Sequence, residues 1–204
     1  MPSPPRLLPV SDRRLLAGAS FAGWAAQLAA LGVDALLVRE RDLDDRLLDE
    51  LASETRRTFS RPARLLVHRR VDLAALADAD GVHLPADGLP VGKVRAEAPA
   101  GFLIGRSTHT SEEVASARDE GADYVLFGPI FDTPSKAGIL PPRGLAELAR
   151  VAALGVPVVA IGGIDEHSAP RVLAAGAAGI AAIRAFADPA SARRLIEATL
   201  GAGA

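Results

Sequence analysis

The feature that most constrains this chain is a repeat: a short apolar run followed by an amphipathic stretch, over and over. Runs at 6–10, 35–38, 64–67, 81–84, 102–105, 124–127, 156–161 and 179–183 read as strands. The unbroken apolar run from Ala35 to Val38 suits a strand buried on both faces. Stretches at 12–31, 42–58, 71–79, 91–97, 143–153, 168–175 and 189–200 read as helices, as does one opened by Thr110. Within the first, Leu15, Leu16, Phe21, Trp24, Leu28 and Leu31 recur at helical spacing before Gly32 stops it. Thr110 with Glu113 three residues on has the spacing of a capping box. Residues 201–204 read as a frayed tail. Eight strand–helix units in 204 residues predict an α/β fold, a single-domain parallel eight-stranded (β/α)8 TIM barrel over residues 1–204. A doubly wound sheet is the alternative, but it needs an interior switch point that the even spacing does not offer.

Composition removes several function classes. Apolar residues make up 49% of the chain, too many for a disordered one, yet no apolar run approaches the 18 residues of a membrane span. Met1-Pro2-Ser3-Pro4-Pro5 has no apolar core behind a basic start, so no secretory signal is expected. There is no cysteine, which excludes disulfides, thiolate metal sites and cysteine nucleophiles and fits a reducing cytoplasm. A net charge of −2 argues against nucleic acid as a partner. Apolar stripes on the outer helices leave a homo-oligomer open, although core-facing positions account for most of them.

In a barrel of this kind the site is built just after each strand. Those positions hold Arg39-Glu40-Arg41, His68-Arg69-Arg70, His83, Arg106-Ser107-Thr108-His109, Gly162-Gly163 and Arg184. Cations dominate this rim of a slightly acidic chain, which points to an anionic ligand such as a phosphorylated small molecule. Gly162-Gly163 after the seventh strand and Ile183-Arg184 after the eighth lie where barrels bind phosphate on main-chain N–H groups, with Arg184 a forked donor. The stretch from Gly128 to Gly138 exceeds an ordinary strand–helix connection and reads as a substrate loop. Its Thr133 and Ser135 can donate to phosphate and its Lys136 can act as a point charge. Of 23 Lys plus Arg residues only Lys93 and Lys136 are lysine, so a lysine in this loop attracts notice.

Three segments, 105–113, 122–136 and 157–164, together resemble the thiamine phosphate synthase/TenI family, with Arg39-Glu40-Arg41 at the family's Arg-Glu-Lys/Arg position. The resemblance runs over nearly the whole chain. It implies a (β/α)8 barrel in thiamine biosynthesis that binds a thiazole phosphate at Thr133, Ser135, Gly163, Ile183 and Arg184. In the synthase branch it implies a hydroxymethylpyrimidine diphosphate around Arg39, Arg41, Ser107, Thr108 and Lys136. Arg184 departs from the family's usual serine, so only its main-chain contact carries over.

Other departures shape the expected reaction. The synthase branch holds Mg²⁺ with two aspartates, and the matching positions here are Arg69 and Gly88. No metal and no cofactor is therefore expected. Arg69-Arg70-Val71-Asp72-Leu73 and His83-Leu84-Pro85 look like the TenI branch, which implies a metal-free thiazole tautomerase. That branch's basic histidine is replaced by Pro129, leaving His68, His83 and His109 as candidate bases. A tautomerase-type enzyme is thus the first expectation. A diverged synthase is the alternative, a non-catalytic thiamine-phosphate-binding regulator the third, and another phosphate-binding barrel reaction with Lys136 as a Schiff-base former the last.

Overall fold

A computed structural model of the chain describes residues 3–16, 18–134 and 140–201. Eight parallel strands run β1 (Leu7–Pro9), β2 (Ala35–Val38), β3 (Arg64–His68), β4 (Gly81–Leu84), β5 (Leu103–Thr108), β6 (Tyr124–Phe127), β7 (Val158–Ile161) and β8 (Gly179–Ala182). From β2 to β8 each strand pairs with the next, and β8 pairs with β1, giving the expected barrel in one sheet. Around it lie α1 (Phe21–Ala30), α2 (Asp45–Thr58), α3 (Val71–Leu76), α4 (Val91–Glu97), α5 (Ser111–Asp119), α6 (Gly144–Ala152), α7 (Ala169–Ala174), α8 (Arg184–Ala187) and α9 (Pro189–Gly201). None of these helices is long and apolar enough to cross a membrane.

The alternation of a strand sorts its side chains into two cores. Leu8, Val10, Ala35, Leu37, Leu66, Leu103, Tyr124, Leu126, Val159 and Ala181 fill the barrel. Their strand neighbours, such as Leu36, Leu65, Val82, Ile104 and Val125, face the helices. Two residues on from the inward set stand Arg39, His68, Ile161 and Ile183, and four on from Leu103 stands Ser107, toward the mouth. One ladder fails to form: β1 and β2 share a single bridge, Val10 with Leu37. Side chains complete that seam. At the bottom, the Asp34 carboxylate accepts the Arg6 and Leu7 N–H groups at 2.9 and 2.8 Å. Asp80 and Asp123 repeat the device, taking the N–H of Leu65 at 2.8 Å and of Ile104 at 2.7 Å.

Three expectations need correction. The stretch 12–31 is not one helix. Asp12 caps a 3₁₀ turn over Arg13–Leu15, and α1 begins only after Ser20, whose side chain accepts the Gly23 N–H. The strand expected at 102–105 runs on to Thr108, because Arg106, Ser107 and Thr108 pair in register with Val125, Leu126 and Phe127. The short α8 after β8 did not figure in the expected helices; its Phe186 is buried and the Phe186 carbonyl accepts the Trp24 indole N–H at 2.8 Å. Of the expected tail, Gly201 ends α9 and residues 202–204 lie outside the described residues.

Candidate functional site

The β2 tip is fixed from behind. Glu40 is buried and accepts the Ser11 hydroxyl at 2.6 Å, the Arg13 N–H at 3.0 Å and the Arg13 guanidinium at 3.0 Å. Its neighbours Arg39 and Arg41 project from this anchor. Among the described residues neither guanidinium has a carboxylate within ion-pair distance. Arg39 is half-buried, and burial and the charge of Arg41 both push its pKa down. An anion beside it would relieve both effects.

The β3 tip is strained. Arg69 has φ 66°, and the Arg70 N–H donates back to the His68 carbonyl at 2.8 Å, closing a γ-turn around Arg69. Such a backbone costs about 1–3 kcal/mol and collects at functional sites. The Arg69 guanidinium leaves this turn to meet Asp87 at 2.8 Å, which lowers the Asp87 pKa. His68 is held down to about 4, first by burial and then by Arg39, Arg69 and Arg41, so its imidazole is neutral at pH 7.

His68 lies over His83 on the next strand, ring centroids 6.4 Å apart. His83 is buried, bonded through Nε2 to Ser107 Oγ at 2.8 Å and through Nδ1 to Tyr124 Oη at 3.1 Å. His109 stands apart. Its Nδ1 is 2.6 Å from the Gly128 carbonyl. A carbonyl can only accept, so Nδ1 carries a proton and donates it, and Nε2 is the ring nitrogen left over. The capping box is shifted by one residue: Thr110 Oγ1 accepts the Glu113 N–H at 3.2 Å, but the Glu113 carboxylate accepts the His109 N–H at 2.5 Å, not that of Thr110. That bond fixes the backbone of His109.

Alternation separates two residues expected together. Ser107 faces the mouth, whereas Thr108 is fully buried on the opposite face and its hydroxyl donates to the Leu126 carbonyl at 3.2 Å. Arg106, also outward, spends both guanidinium arms on the Leu89 and Ala86 carbonyls, each at 2.8 Å.

At the far side of the mouth, Gly162 and Gly163 have φ 103° and 67°. Both are pressed against the β6 loop: a Cβ on Gly163 would stand 2.5 Å from the Asp132 carbonyl oxygen, and one on Gly162 2.6 Å from Pro129 Cα. The main-chain N–H groups of Gly163, Ile164, Ile183 and Arg184 have no acceptor among the described residues. These four free donors lie at two adjacent strand tips beside a short extra helix, the place where barrels of this kind commonly bind phosphate. Arg184 is exposed at its edge and Thr133 is half-buried in the facing loop. Ser135 and Lys136 lie outside the described residues.

Sequence reading gave Arg143 no role beyond opening a helix. Its N–H donates to the Pro129 carbonyl at 2.8 Å, and its Nε is buried with no hydrogen-bond partner among the described residues. An unpaired buried guanidinium N–H is a donor that a bound anion would satisfy. Only the Pro-Pro-Arg-Gly setting of 141–144 marked it in the sequence.

The positions implied to hold Mg²⁺ do not suit it. Mg²⁺ takes hard oxygen ligands, and these positions offer the Arg69 guanidinium and a glycine, Gly88. The neighbouring Asp87 is already paired to Arg69. Among the described residues no three His, Asp or Glu side chains are grouped to hold a metal ion.

Comparison with known proteins agrees with this geometry. The family model described as thiamine monophosphate synthase (TMP-TENI) matches residues 7–186. A protein of Anaeromyxobacter dehalogenans named thiamine-phosphate synthase is 44% identical over 93% of this chain and 87% of its own length. One of Methanocella arvoryzae with the same name is 40% identical over 86% of this chain and 84% of its own. The structure of a thiamine phosphate pyrophosphorylase from Pyrococcus furiosus superposes with a TM-score of 0.86 at 30% identity, covering 97% of this chain and 96% of that one. Both curated relatives carry the synthase name, so the tautomerase expectation gives way to the synthase one. With its barrel and these relatives together, the chain belongs to the thiamine monophosphate synthase family, a family of thiamine biosynthesis.

Proposed function

We propose that the chain catalyses the transfer for which its relatives are named: a hydroxymethylpyrimidine group leaves its diphosphate and is joined to a thiazole phosphate. The observation that carries this reading is that two separate groups of donors, at the β7–β8 tips and at the β2 tip, lack partners among the described residues. The free N–H groups at the β7 and β8 tips suit a monophosphate. Arg39 and Arg41 at the β2 tip, without carboxylate partners among the described residues, suit the more highly charged diphosphate. Tautomerisation involves one phosphorylated substrate and leaves the second corner without a task.

In this reading the carbon–oxygen bond to the diphosphate breaks and its electron pair departs with pyrophosphate. Fixed positive charge near the leaving oxygens stabilises that transition state. Here the charge comes from guanidinium groups, Arg39 and Arg41 with Arg69 beside them, because positions 69 and 88 do not suit Mg²⁺. Metal independence is therefore part of the proposal. Both substrates mixed in EDTA should give thiamine phosphate and pyrophosphate in equal amounts, with neither formed when one substrate is omitted. Absence of product at saturating substrates ends the synthase reading.

One observation favours a second reading, the metal-free tautomerase. His68 offers a neutral imidazole without any metal, and His109 has an Nε2 not used in its bond to Gly128. Turnover of a thiazole carboxylate phosphate that is lost in His68→Asn or His109→Asn supports it, and turnover kept in both variants excludes these bases.

A further inference from the structure

His68, His83, Gly105 and Tyr124 are consecutive register partners on β3, β4, β5 and β6, so they form one row across the four strands. Gly105 leaves a gap in that ring. A Cβ there would lie 2.2 Å from Tyr124 Cζ, 2.4 Å from its Oη and 2.6 Å from His83 Nδ1. The glycine thus lets the Tyr124 ring reach across β5 to His83, and His83 reaches on to Ser107 at the mouth.

The direction of these hydrogen bonds can be worked out. Tyr124 is fully buried, and its hydroxyl has no partner besides His83 among the described residues. Burial also raises its pKa, so the phenol keeps its proton. If the phenol accepted from Nδ1–H, its own O–H would be buried with nowhere to go. The phenol therefore donates to Nδ1. His83 is buried as well, and desolvation first, with the charges of His68, Arg106 and Arg39, holds its pKa well below the usual value. A neutral imidazole has one N–H, and with Nδ1 accepting it must be Nε2–H. That N–H donates to Ser107 Oγ. One Ser107 lone pair is then occupied, and the serine's own proton is left to point into the mouth.

We propose that Tyr124 and His83 are positioning residues that fix Ser107 as a hydrogen-bond donor to a phosphoryl oxygen of the diphosphate. This deepens the synthase reading and rests on it for the identity of the ligand. The tautomer of His83 does not depend on that reading.

The test combines nitrogen-15 NMR of His83 in the full chain with calorimetric binding of inorganic pyrophosphate. The wild type should show protonated Nε2 and unprotonated Nδ1 at pH 7. Tyr124→Phe should lose this fixed tautomer and bind pyrophosphate about threefold more weakly; Ser107→Ala should bind it about tenfold more weakly and Ser107→Thr close to normally. A protonated Nδ1 in the wild type overturns the proposal without touching the synthase reading, and so does unchanged pyrophosphate binding in Ser107→Ala. The wild-type spectrum decides the hydrogen-bond direction even if Tyr124→Phe does not fold. The expected tautomer and binding losses, seen in a protein that forms no thiamine phosphate, would keep the donor chain and reject the synthase reading instead.

Discussion

The Ser11 hydroxyl donates to the Glu40 carboxylate at 2.6 Å while accepting the Arg39 N–H at 2.8 Å. One small side chain therefore bridges the seam between β1 and β2 and sets the height of the β2 cationic corner. Glu40→Ala leaves the Ser11 hydroxyl and Arg13 without their buried partner and should cost about 3 kcal/mol; Ser11→Ala should cost about 1–2 kcal/mol. Urea denaturation measures both. Losses below about 0.5 kcal/mol would show that the seam closes without them.

Asp123 at the bottom of β6 accepts the Ile104 N–H at 2.7 Å and pairs with Arg95. Asp123→Ala strands a buried backbone donor and should cost about 2–3 kcal/mol. The site lies at the other end of the strands, so KM in the refolded fraction should not move. A changed KM with unchanged stability would contradict this division of labour.

Gly163 and Gly155 both have positive φ, 67° and 86°, but only Gly163 has its Cβ space filled. Gly155→Ala should cost about 1 kcal/mol and leave ligand binding alone. Gly163→Ala must push away the Asp132 carbonyl and should cost about 2 kcal/mol or more while weakening thiazole phosphate binding at least tenfold. Equal behaviour of the two variants would mean that the corner is not built on Gly163.

His68 binds its proton less readily in the folded chain, at about 4, than in the unfolded chain near 6.5. Below pH 6.5 the unfolded state takes up a proton that the folded state refuses, so stability falls as pH drops toward 4. His83 acts in the same direction. The stability difference between pH 7 and pH 4.5 should therefore shrink in His68→Gln. An identical pH slope in wild type and variant would show that His68 is not held neutral.

The barrel was legible because every unit repeats the same apolar-then-amphipathic pattern, and Ala35–Val38 or Tyr124–Phe127 needs no partner to be read as a strand. The glycine pair Gly162-Gly163 after the seventh strand was legible too. What depends on pairing was not. The family resemblance puts Thr108 beside Ser107 at the diphosphate, but the extension of β5 turns the two to opposite faces. The bonding of His83 through Gly105 to Tyr124 needs the register of three strands, which no single run reveals. The break in the first helix was hidden because its apolar spacing continues through Gly18, while the Ser20 cap that restarts it is a single residue.

Calorimetric titration of inorganic pyrophosphate, in EDTA, into protein already saturated with thiazole phosphate tests the two-corner mouth most directly. Pyrophosphate should still bind, one per chain, with an affinity that falls at least tenfold in Arg39→Ala. Pyrophosphate that displaces thiazole phosphate, or that binds only when Mg²⁺ is added, contradicts it.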